Sequence, residues 1–356
     1  MEELSPHVVA SIAGFIIGIA LGAVVQRTNF CAMGAVSDLV VFRNWNRLRA
    51  WFLAMAVAIV GTQTLAWAEM IDLGESIYLG SRLTWAAAIL GGLLFGIGMV
   101  FAGGCGNRNL VRCGAGDLRS LVVVLVMGLS AGMTLYGLVA YLRVEFNDAT
   151  AIELADHGLA SQGLPDVVAA ALDTNVESVN LILALVVALA IAAFCFASAA
   201  FRRSPRNILG GLLVGALVVA GWWATGVLAY DDFEPVSLGS LTFIAPVGDG
   251  VLYLMTFTGS SISFGIAVVG GVILGAFLAA KVSGSFHLQG FANKSDLERN
   301  LVGALLMGFG GVMALGCTIG QGITGLSTLA VGSFLALAAI IAGGVAGMHI
   351  LEALEG

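Results

Sequence analysis

Nine long apolar segments follow one another along this chain of 356 residues, and each is long enough to cross a lipid bilayer. They span approximately 8–26, 48–71, 84–103, 118–141, 177–201, 207–230, 261–281, 298–316 and 329–351. Charged residues make up only 10% of the chain, against roughly a quarter in a soluble domain. This composition excludes a soluble enzyme or a nucleic-acid-binding protein. The sequence predicts an all-α polytopic membrane protein with a single transmembrane domain over residues 1–356.

Four shorter segments lie between these spans, at about 31–41, 105–115, 251–258 and 317–327. They are apolar or glycine-rich, but about ten residues cannot cross a bilayer as a helix. Such segments are typical of re-entrant half-helices, which membranes tolerate only where protein or water satisfies the backbone. The sequence therefore predicts four half-helices that line a substrate path.

An internal repeat supports this arrangement. Residues 91–105 and 303–317 are identical at nine of 15 positions, at an offset of 212, and both segments end in cysteine. The predicted spans cross the membrane in opposite directions, as in the inverted-topology repeats of many transporters. The sequence predicts a first repeat at about 8–141, a connector at 142–206 and a second repeat at about 207–351.

The positive charges predict the orientation of the chain. With the N-terminus outside, 12 of the 15 basic residues lie in cytoplasmic loops, whereas the loop 143–177 holds one Arg and seven acidic residues. Cytoplasmic loops of membrane proteins carry the excess of Lys and Arg. We therefore expect a multi-pass protein of the inner membrane with its N-terminus outside and its C-terminus in the cytoplasm.

Three cysteines begin predicted half-helices: Cys31, Cys105 and Cys317. A helix N-terminus offers unpaired N–H groups and a partial positive charge, so it binds anions. A thiol there adds a weak, soft hydrogen-bond donor. The combination predicts a transported anion that contains soft sulfur, while the alternative is three buried cysteines that act as small hydrophobic residues. Cys195, within an apolar run, is predicted to be structural, and Cys113 is left open between the two roles.

Several amides accompany these cysteines, and Asn29, Asn107 and Gln321 are candidate contacts to the oxygens of such an anion. The alternative is that they cap backbone groups, as amides do in any loop. The sequence has no Cys-x-x-Cys pair and no histidine cluster, so no metal and no other cofactor is expected.

The motifs RTNFC, GGCG and GC-x-x-G-Q-G, in this order, resemble those of the YeeE/YedE family of membrane proteins. The resemblance covers essentially the whole chain. It implies nine spans, four short helices and a central thiosulfate path lined by Cys31, Cys105 and Cys317. It also implies a small cytoplasmic sulfurtransferase of the TusA type as partner, which we expect to be a separate protein. Other members are assigned to selenium metabolism.

The sequence thus favours a transporter of thiosulfate that is not an enzyme. Two other classes stay open beside a transporter or channel for a related sulfur or selenium compound. One is a membrane enzyme that uses the cysteines for thiol-redox or persulfide chemistry. The other is a passive anion channel without a gate.

Overall fold

The computed structural model describes residues 5–355, which are helical almost throughout. The α-helices are α1 (Pro6–Thr28), α2 (Ala32–Phe42), α3 (Asn46–Trp67), α4 (Trp85–Phe101), α5 (Gly106–Gly114), α6 (Leu118–Leu135), α7 (Leu138–Thr150), α8 (Leu164–Leu172), α9 (Val176–Phe196), α10 (Ala199–Arg202), α11 (Pro205–Trp223), α12 (Ile244–Met255), α13 (Phe264–Val282), α14 (Lys294–Met313) and α15 (Val331–Glu355). The chain also contains 3₁₀ turns at Leu73–Glu75, Leu154–His157 and Phe257–Gly259, π-helical turns at Ala224–Leu228 and Gly320–Gly325, and two antiparallel strands, β1 (Arg82–Leu83) and β2 (Ile152–Glu153).

Eight helical segments of the described chain are long and apolar enough to cross a membrane, one fewer than the sequence predicts. The remaining predicted span, 298–316, corresponds to α14, which has 20 residues like its neighbours. Its first turns contain four charged residues, Lys294, Asp296, Glu298 and Arg299. These charges lower its hydropathy without shortening the helix. The chain is therefore an all-helical, multi-pass membrane protein.

Two predicted boundaries are wrong. The span predicted at 118–141 ends at Leu135, and a separate helix, α7, begins at Leu138 after Gly137. The half-helix predicted at 251–258 is α12, which begins seven residues earlier, at Ile244. The segment GDG at 248–250 is typical of a loop, but here it lies inside the helix.

Helices α4 and α14, which contain the repeated sequence, pack against each other in opposite directions. A methyl group added at Gly91 would lie 2.6 Å from the carbonyl oxygen of Gly310. A methyl group added at Gly98 would lie 2.7 Å from the carbonyl oxygen of Gly303. The two backbones are thus in direct contact, which only glycine permits at these positions.

At one end of the bundle, the connection between α5 and α6 meets the connection between α13 and α14 at Asp117. The Asp117 carboxylate accepts hydrogen bonds from Gln289 (2.8 Å) and from Arg119, and Arg119 also lies 3.8 Å from Asp296. Burial opposes ionisation of Asp117, but the hydrogen bonds from Arg119 and Gln289 outweigh it and keep the pKa of Asp117 below its usual value. This end holds most of the basic residues and is called the basic face.

The opposite end is closed by the segment between α6 and α9. Strand β2 of this segment pairs with β1, and the Arg82 guanidinium contacts Asp148 (3.0 Å) and Glu153 (2.5 Å). The region 143–177, predicted as a loop, also contains α8 and most of α7. We call this end the acidic face.

Candidate functional site

Each of the three predicted site cysteines is the residue directly before a short helix. Cys31 precedes α2, Cys105 precedes α5, and Cys317 precedes the helical residues 318–327. The sulfur of Cys31 accepts a hydrogen bond from the Gly34 N–H at 3.4 Å. The sulfur of Cys317 accepts one from the Gly320 N–H, also at 3.4 Å. The Cys31 and Cys317 thiols therefore cap the first turn of their helices, whereas the Cys105 side chain makes no capping hydrogen bond.

The backbone turns before the three cysteines are alike. Two residues before each cysteine, the chain adopts the left-handed conformation, at Asn29 (φ 55°), Gly103 (φ 66°) and Leu315 (φ 57°). Asn and Gly tolerate this conformation, whereas a leucine there is strained by roughly 1–2 kcal/mol. The turn ends the long helix and lets a new helix begin at the cysteine.

The three cysteines are buried, with exposed fractions of 8% for Cys31, 2% for Cys105 and 0% for Cys317. The thiols of Cys31 and Cys105 are direct neighbours, although they lie on different helices. The Thr318 side chain also lies next to Cys105. Because Thr318 directly follows Cys317, it places the start of the third short helix beside the neighbouring thiols of Cys31 and Cys105. The structure thus brings the three cysteine-capped helices to one buried junction.

The three candidate amides differ in the hydrogen bonds that their side chains already make within the protein. Asn29 accepts a hydrogen bond from the Arg108 guanidinium at 3.3 Å. Gln321 donates to the carbonyl oxygen of Ala314 (2.5 Å) and accepts from the Ser333 hydroxyl (2.6 Å). Asn107 is 2% exposed, and its side-chain oxygen has no hydrogen-bond partner among residues 5–355. Of the three, Asn107 is the one whose side-chain oxygen is left unsatisfied in the protein.

Asn109 and Gln321 occupy equivalent positions, 212 residues apart, and make equivalent bonds. Asn109 donates to the Gly104 carbonyl oxygen (2.8 Å) and accepts from Ser120 (3.0 Å). Each amide thus links the fourth residue after a cysteine to the backbone turn before that cysteine. The side-chain oxygen of each amide also accepts a hydrogen bond from a serine on the following helix. The two networks fix the turns that position Cys105 and Cys317.

Sequence reasoning missed two buried polar groups near the junction. The Thr318 hydroxyl (1% exposed) and the Trp51 indole N–H (3% exposed) have no hydrogen-bond partner within the described chain. Trp51 stacks on Phe30, the residue before Cys31, with 5.1 Å between ring centroids. Thr318 was detectable as the neighbour of Cys317, whereas nothing in the sequence links Trp51 to the cysteines.

Tyr78, from the loop between α3 and α4, approaches Cys317 from the acidic side. It is 4% exposed and packs edge-on against Trp222, with ring centroids 6.4 Å apart. Burial raises the pKa of the Tyr78 phenol, and a negative charge on Cys317 would raise it further. The Tyr78 phenol is therefore neutral at physiological pH.

The other two cysteines lie outside the junction. Cys195, on α9, is buried and donates to the carbonyl oxygen of Arg49 at 3.2 Å. Cys113 is partly buried near the end of α5, eight residues after Cys105. Over the described residues, no cluster of three His, Cys, Asp or Glu side chains could hold a metal ion.

Comparison with known proteins places this arrangement in a family. The model of the sulphur-transport family (Sulf_transp) matches residues 27–346. The chain belongs to this family. The thiosulfate transporter TsuA of Escherichia coli K12 is 27% identical over 323 residues, which cover 88% of this chain and 86% of the relative. TsuA of Spirochaeta thermophila is 28% identical over 324 residues, covering 89% and 92%. The probable transporter YedE of Salmonella typhimurium is 30% identical over 104 residues, covering 29% and 24%.

As a member of the sulphur-transport family, the chain has a buried junction that lies wholly inside the matched region. Cys31, Cys105 and Cys317 all fall between residues 27 and 346. The two TsuA relatives match over nearly their whole lengths, so the likeness extends to both halves of the bundle. The YeeE/YedE resemblance predicted from the cysteine motifs is confirmed.

Proposed function

We propose that the protein takes up thiosulfate across the inner membrane along a path lined by Cys31, Cys105 and Cys317. The observation that carries this proposal is the buried junction at which the N-termini of three short helices converge, each directly preceded by a cysteine. Two relatives named as thiosulfate transporters match along nearly their whole length and support it. The protein is accordingly a transporter and not an enzyme.

The chemistry of the junction suits this substrate. Thiosulfate has charged sulfonate oxygens and a terminal, polarisable sulfur. Helix N-termini supply N–H groups and a partial positive charge for the oxygens, and the unpartnered Asn107 and Thr318 side chains lie in or beside the junction. Thiols are weak, soft donors that match the sulfur. The anion would pass from one thiol to the next by exchange of hydrogen bonds.

The proposed architecture consists of two inverted repeats with re-entrant short helices, separated by the connector 142–206. Four helix contacts, which form two matching sets, support it. Helix α1 packs against α13, while α11 packs against α3. Helix α4 packs against α15, while α14 packs against α6. In the two predicted halves, α1, α3, α4 and α6 correspond to α11, α13, α14 and α15. Exchanging corresponding helices turns the first contact of each set into the second, as a twofold pseudosymmetry requires.

The basic face is proposed to lie in the cytoplasm, which places the N-terminus outside and the C-terminus inside. The charge distribution supports this orientation, since cytoplasmic loops collect Lys and Arg. A phosphatase or fluorescent protein fused after residue 356 tests it. Activity of the phosphatase, which folds only outside the cytoplasm, would contradict the orientation.

Growth of a sulfur-auxotrophic strain without its own uptake systems tests the substrate. We expect expression of the protein to restore growth on thiosulfate but not on sulfate at the same concentration. Growth on sulfate as efficient as on thiosulfate would contradict the argument from soft sulfur. Uptake of selenite without thiosulfate would instead favour a transporter for a related selenium compound.

Purified protein in liposomes is expected to equilibrate labelled thiosulfate without concentrating it. Moving a dianion against an inside-negative potential costs about 2.3 kcal/mol per charge per 100 mV, hence about 4.6 kcal/mol in total. The sequence has no nucleotide-binding P-loop that could supply this energy. Labelled thiosulfate inside the vesicles is measured with and without an imposed potential. Accumulation above the electrochemical equilibrium would contradict uncoupled transport.

We propose that a separate cytoplasmic sulfurtransferase of the TusA type consumes the incoming thiosulfate. At 100 mV, uncoupled uptake leaves the inside concentration roughly 2000-fold below the outside. Thiosulfate must therefore be consumed inside the cell to sustain its net uptake. Net uptake in cells should rise when such a sulfurtransferase is co-expressed, while the initial rate in liposomes stays unchanged.

A second candidate function rests on the contact between the thiols of Cys31 and Cys105. In a thiol-redox or persulfide enzyme, one of these thiols, as its thiolate, would attack the outer sulfur of thiosulfate, break the S–S bond of the substrate, form a cysteine persulfide and release sulfite. Mass spectrometry of protein quenched during turnover separates the two functions. A covalent sulfur adduct on either cysteine would favour the enzyme, and unmodified thiols favour transport.

A further inference from the structure

Arg108 carries a largely buried positive charge that no acidic side chain among the described residues neutralises. Its side chain folds back over the turn before Cys105, so that a methyl group at Gly104 would lie 3.0 Å from its Cγ atom. One guanidinium nitrogen donates to Asn29 at 3.3 Å, and another, Nη1, is buried without a partner among residues 5–355. Within these residues, Arg108 forms no ion pair with a carboxylate. Buried charges in proteins are normally paired, so this one lacks its counter-ion.

Basic side chains outnumber acidic ones around Arg108. Arg112 and Arg47 are close enough to act on it electrostatically, as are the thiols of Cys31 and Cys105. Arg47 lies over the first turn of α2, where a methyl group at Gly34 would be 2.7 Å from its Nη1 atom. Arg47 pairs with Asp38 at 3.4 Å. The guanidinium groups of Arg108, Arg112 and Arg47 thus share one carboxylate, that of Asp38. The result is a local excess of positive charge beside the cysteine junction.

Two cavities lie beside this cluster, and they share part of their lining. A small cavity beside Cys31 is lined by Asn29, Arg47 and Arg206 among others. A wider, open cavity shares Asn29 and Arg206 with the first and adds Arg27 and two serines, Ser283 and Ser285. Asn29, whose side-chain oxygen accepts the hydrogen bond from Arg108, thus lines both cavities.

We propose that Arg108, together with Arg47, Arg206 and Asn29, forms a binding site for a small inorganic dianion at the basic end of the path. This inference rests on the proposed function and adds a binding step where the anion leaves the cysteines. The anion supplies the missing counter-charge and takes over the guanidinium hydrogens that are now unpaired or bonded to Asn29. Because guanidinium groups recognise oxyanions by charge and shape, the site accepts thiosulfate and sulfate alike. Selectivity for sulfur then resides in the thiols.

Binding of thiosulfate and of sulfate to purified protein in detergent, measured by calorimetry, tests the site. Arg108→Gln removes the charge but keeps a donor for Asn29, and we expect it to weaken binding of both anions roughly tenfold or more. Arg108→Lys keeps the charge without the planar fork and should bind with intermediate affinity. The matched control is Arg203→Gln, at an exposed arginine in the connection between α10 and α11. Its affinity should stay within a factor of about two of the wild type.

A second measurement does not depend on transport. Iodoacetamide, a small neutral reagent, is applied to the purified protein, and alkylation of Cys31 is followed by peptide mass spectrometry. Sulfate should slow the reaction in the wild type and in Arg203→Gln, but not in Arg108→Gln. Equal sulfate protection in Arg108→Gln, or equal affinity, would overturn the site even if uptake is impaired.

The outcomes separate this site from the proposed function. A wild-type protein that binds sulfate through Arg108 but carries no thiosulfate would overturn the function and uphold the site. Thiosulfate uptake that is normal in the wild type, combined with anion binding that is unchanged in Arg108→Gln, would overturn the site alone. A wild-type protein that binds neither anion overturns the site whatever it transports.

Discussion

Replacement of Cys31, Cys105 or Cys317 by Ala is expected to reduce thiosulfate uptake about tenfold or more at matched membrane abundance. Each change removes a thiol donor from a buried junction that offers few alternatives. A hydrogen bond to a charged acceptor contributes roughly 1.5–3 kcal/mol, and each 1.4 kcal/mol on the limiting barrier is tenfold in rate. Initial uptake of radiolabelled thiosulfate into vesicles measures the effect. Ser at the same positions should restore only part of the rate, because a hydroxyl is a harder and shorter donor.

Cys195→Ala is the matched control, since Cys195 is also fully buried but donates to the Arg49 carbonyl oxygen outside the junction. Uptake by this variant should remain close to that of the wild type. Near-normal uptake by the Cys105 and Cys317 variants would return these residues to a packing role and end the relay hypothesis. Strong loss in Cys195→Ala would mean that uptake reports general packing.

The contact between two of the thiols makes the cysteine prediction more specific. Cys31 and Cys105 are neighbours, so they contribute to one station of the path, whereas Cys317 is joined to them through Thr318. Residues that share a partner are not additive in double mutants. The double variant of Cys31 and Cys105 should therefore lose less than the product of the two single losses. A full multiplicative loss would indicate two separate stations.

The sequence predicts the cysteine-capped helices well because their signals are local. Asn29 or glycine before the cysteine and an apolar run after it mark the end of one helix and the start of another. These features depend on backbone conformation within a few residues, so composition and spacing reveal them. The repeat extends the prediction to Cys105 and Cys317, although Leu315 stands where the first copy has Gly103.

The parts that the sequence does not predict depend on contacts between distant segments. Helix α12 begins at Ile244, and the residues that lead into it are buried, with Leu241 and Phe243 both 0% exposed. A glycine-rich stretch near Asp249 is typical of a loop, and only its surroundings make it helical. Likewise, Trp51 and Arg108 reach the junction from α3 and α5 through the tertiary fold. Arg108 in particular resembles a loop charge in the sequence and proves to be largely buried.

Gly275→Ala is expected to destabilise the bundle strongly, although it adds a single methyl group. That group would lie 2.0 Å from the Ile19 carbonyl oxygen on α1 and 2.8 Å from the Ile19 Cα atom. The same crossing brings a methyl group at Gly22 to 2.2 Å from the Val272 carbonyl oxygen. Both obstacles are backbone atoms, which cannot rotate away, so α1 and α13 must separate. Overpacking of this kind costs roughly 1–3 kcal/mol or more.

The unfolding temperature of the purified protein in detergent measures this effect, and Gly270→Ala on the same helix is the control. Among the described residues, a methyl group at Gly270 has only the Phe15 ring within 4 Å, at 3.9 Å, so none of their atoms has to move. Alanine is the better helix former by about 1 kcal/mol, and Gly270→Ala should leave the unfolding temperature unchanged or raise it. Because α1 leads directly into Asn29 and Cys31, separation of α1 from α13 should also reduce uptake in Gly275→Ala. Wild-type stability and uptake in Gly275→Ala would contradict the close contact of the two helices, and with it the placement of Cys31 at the junction.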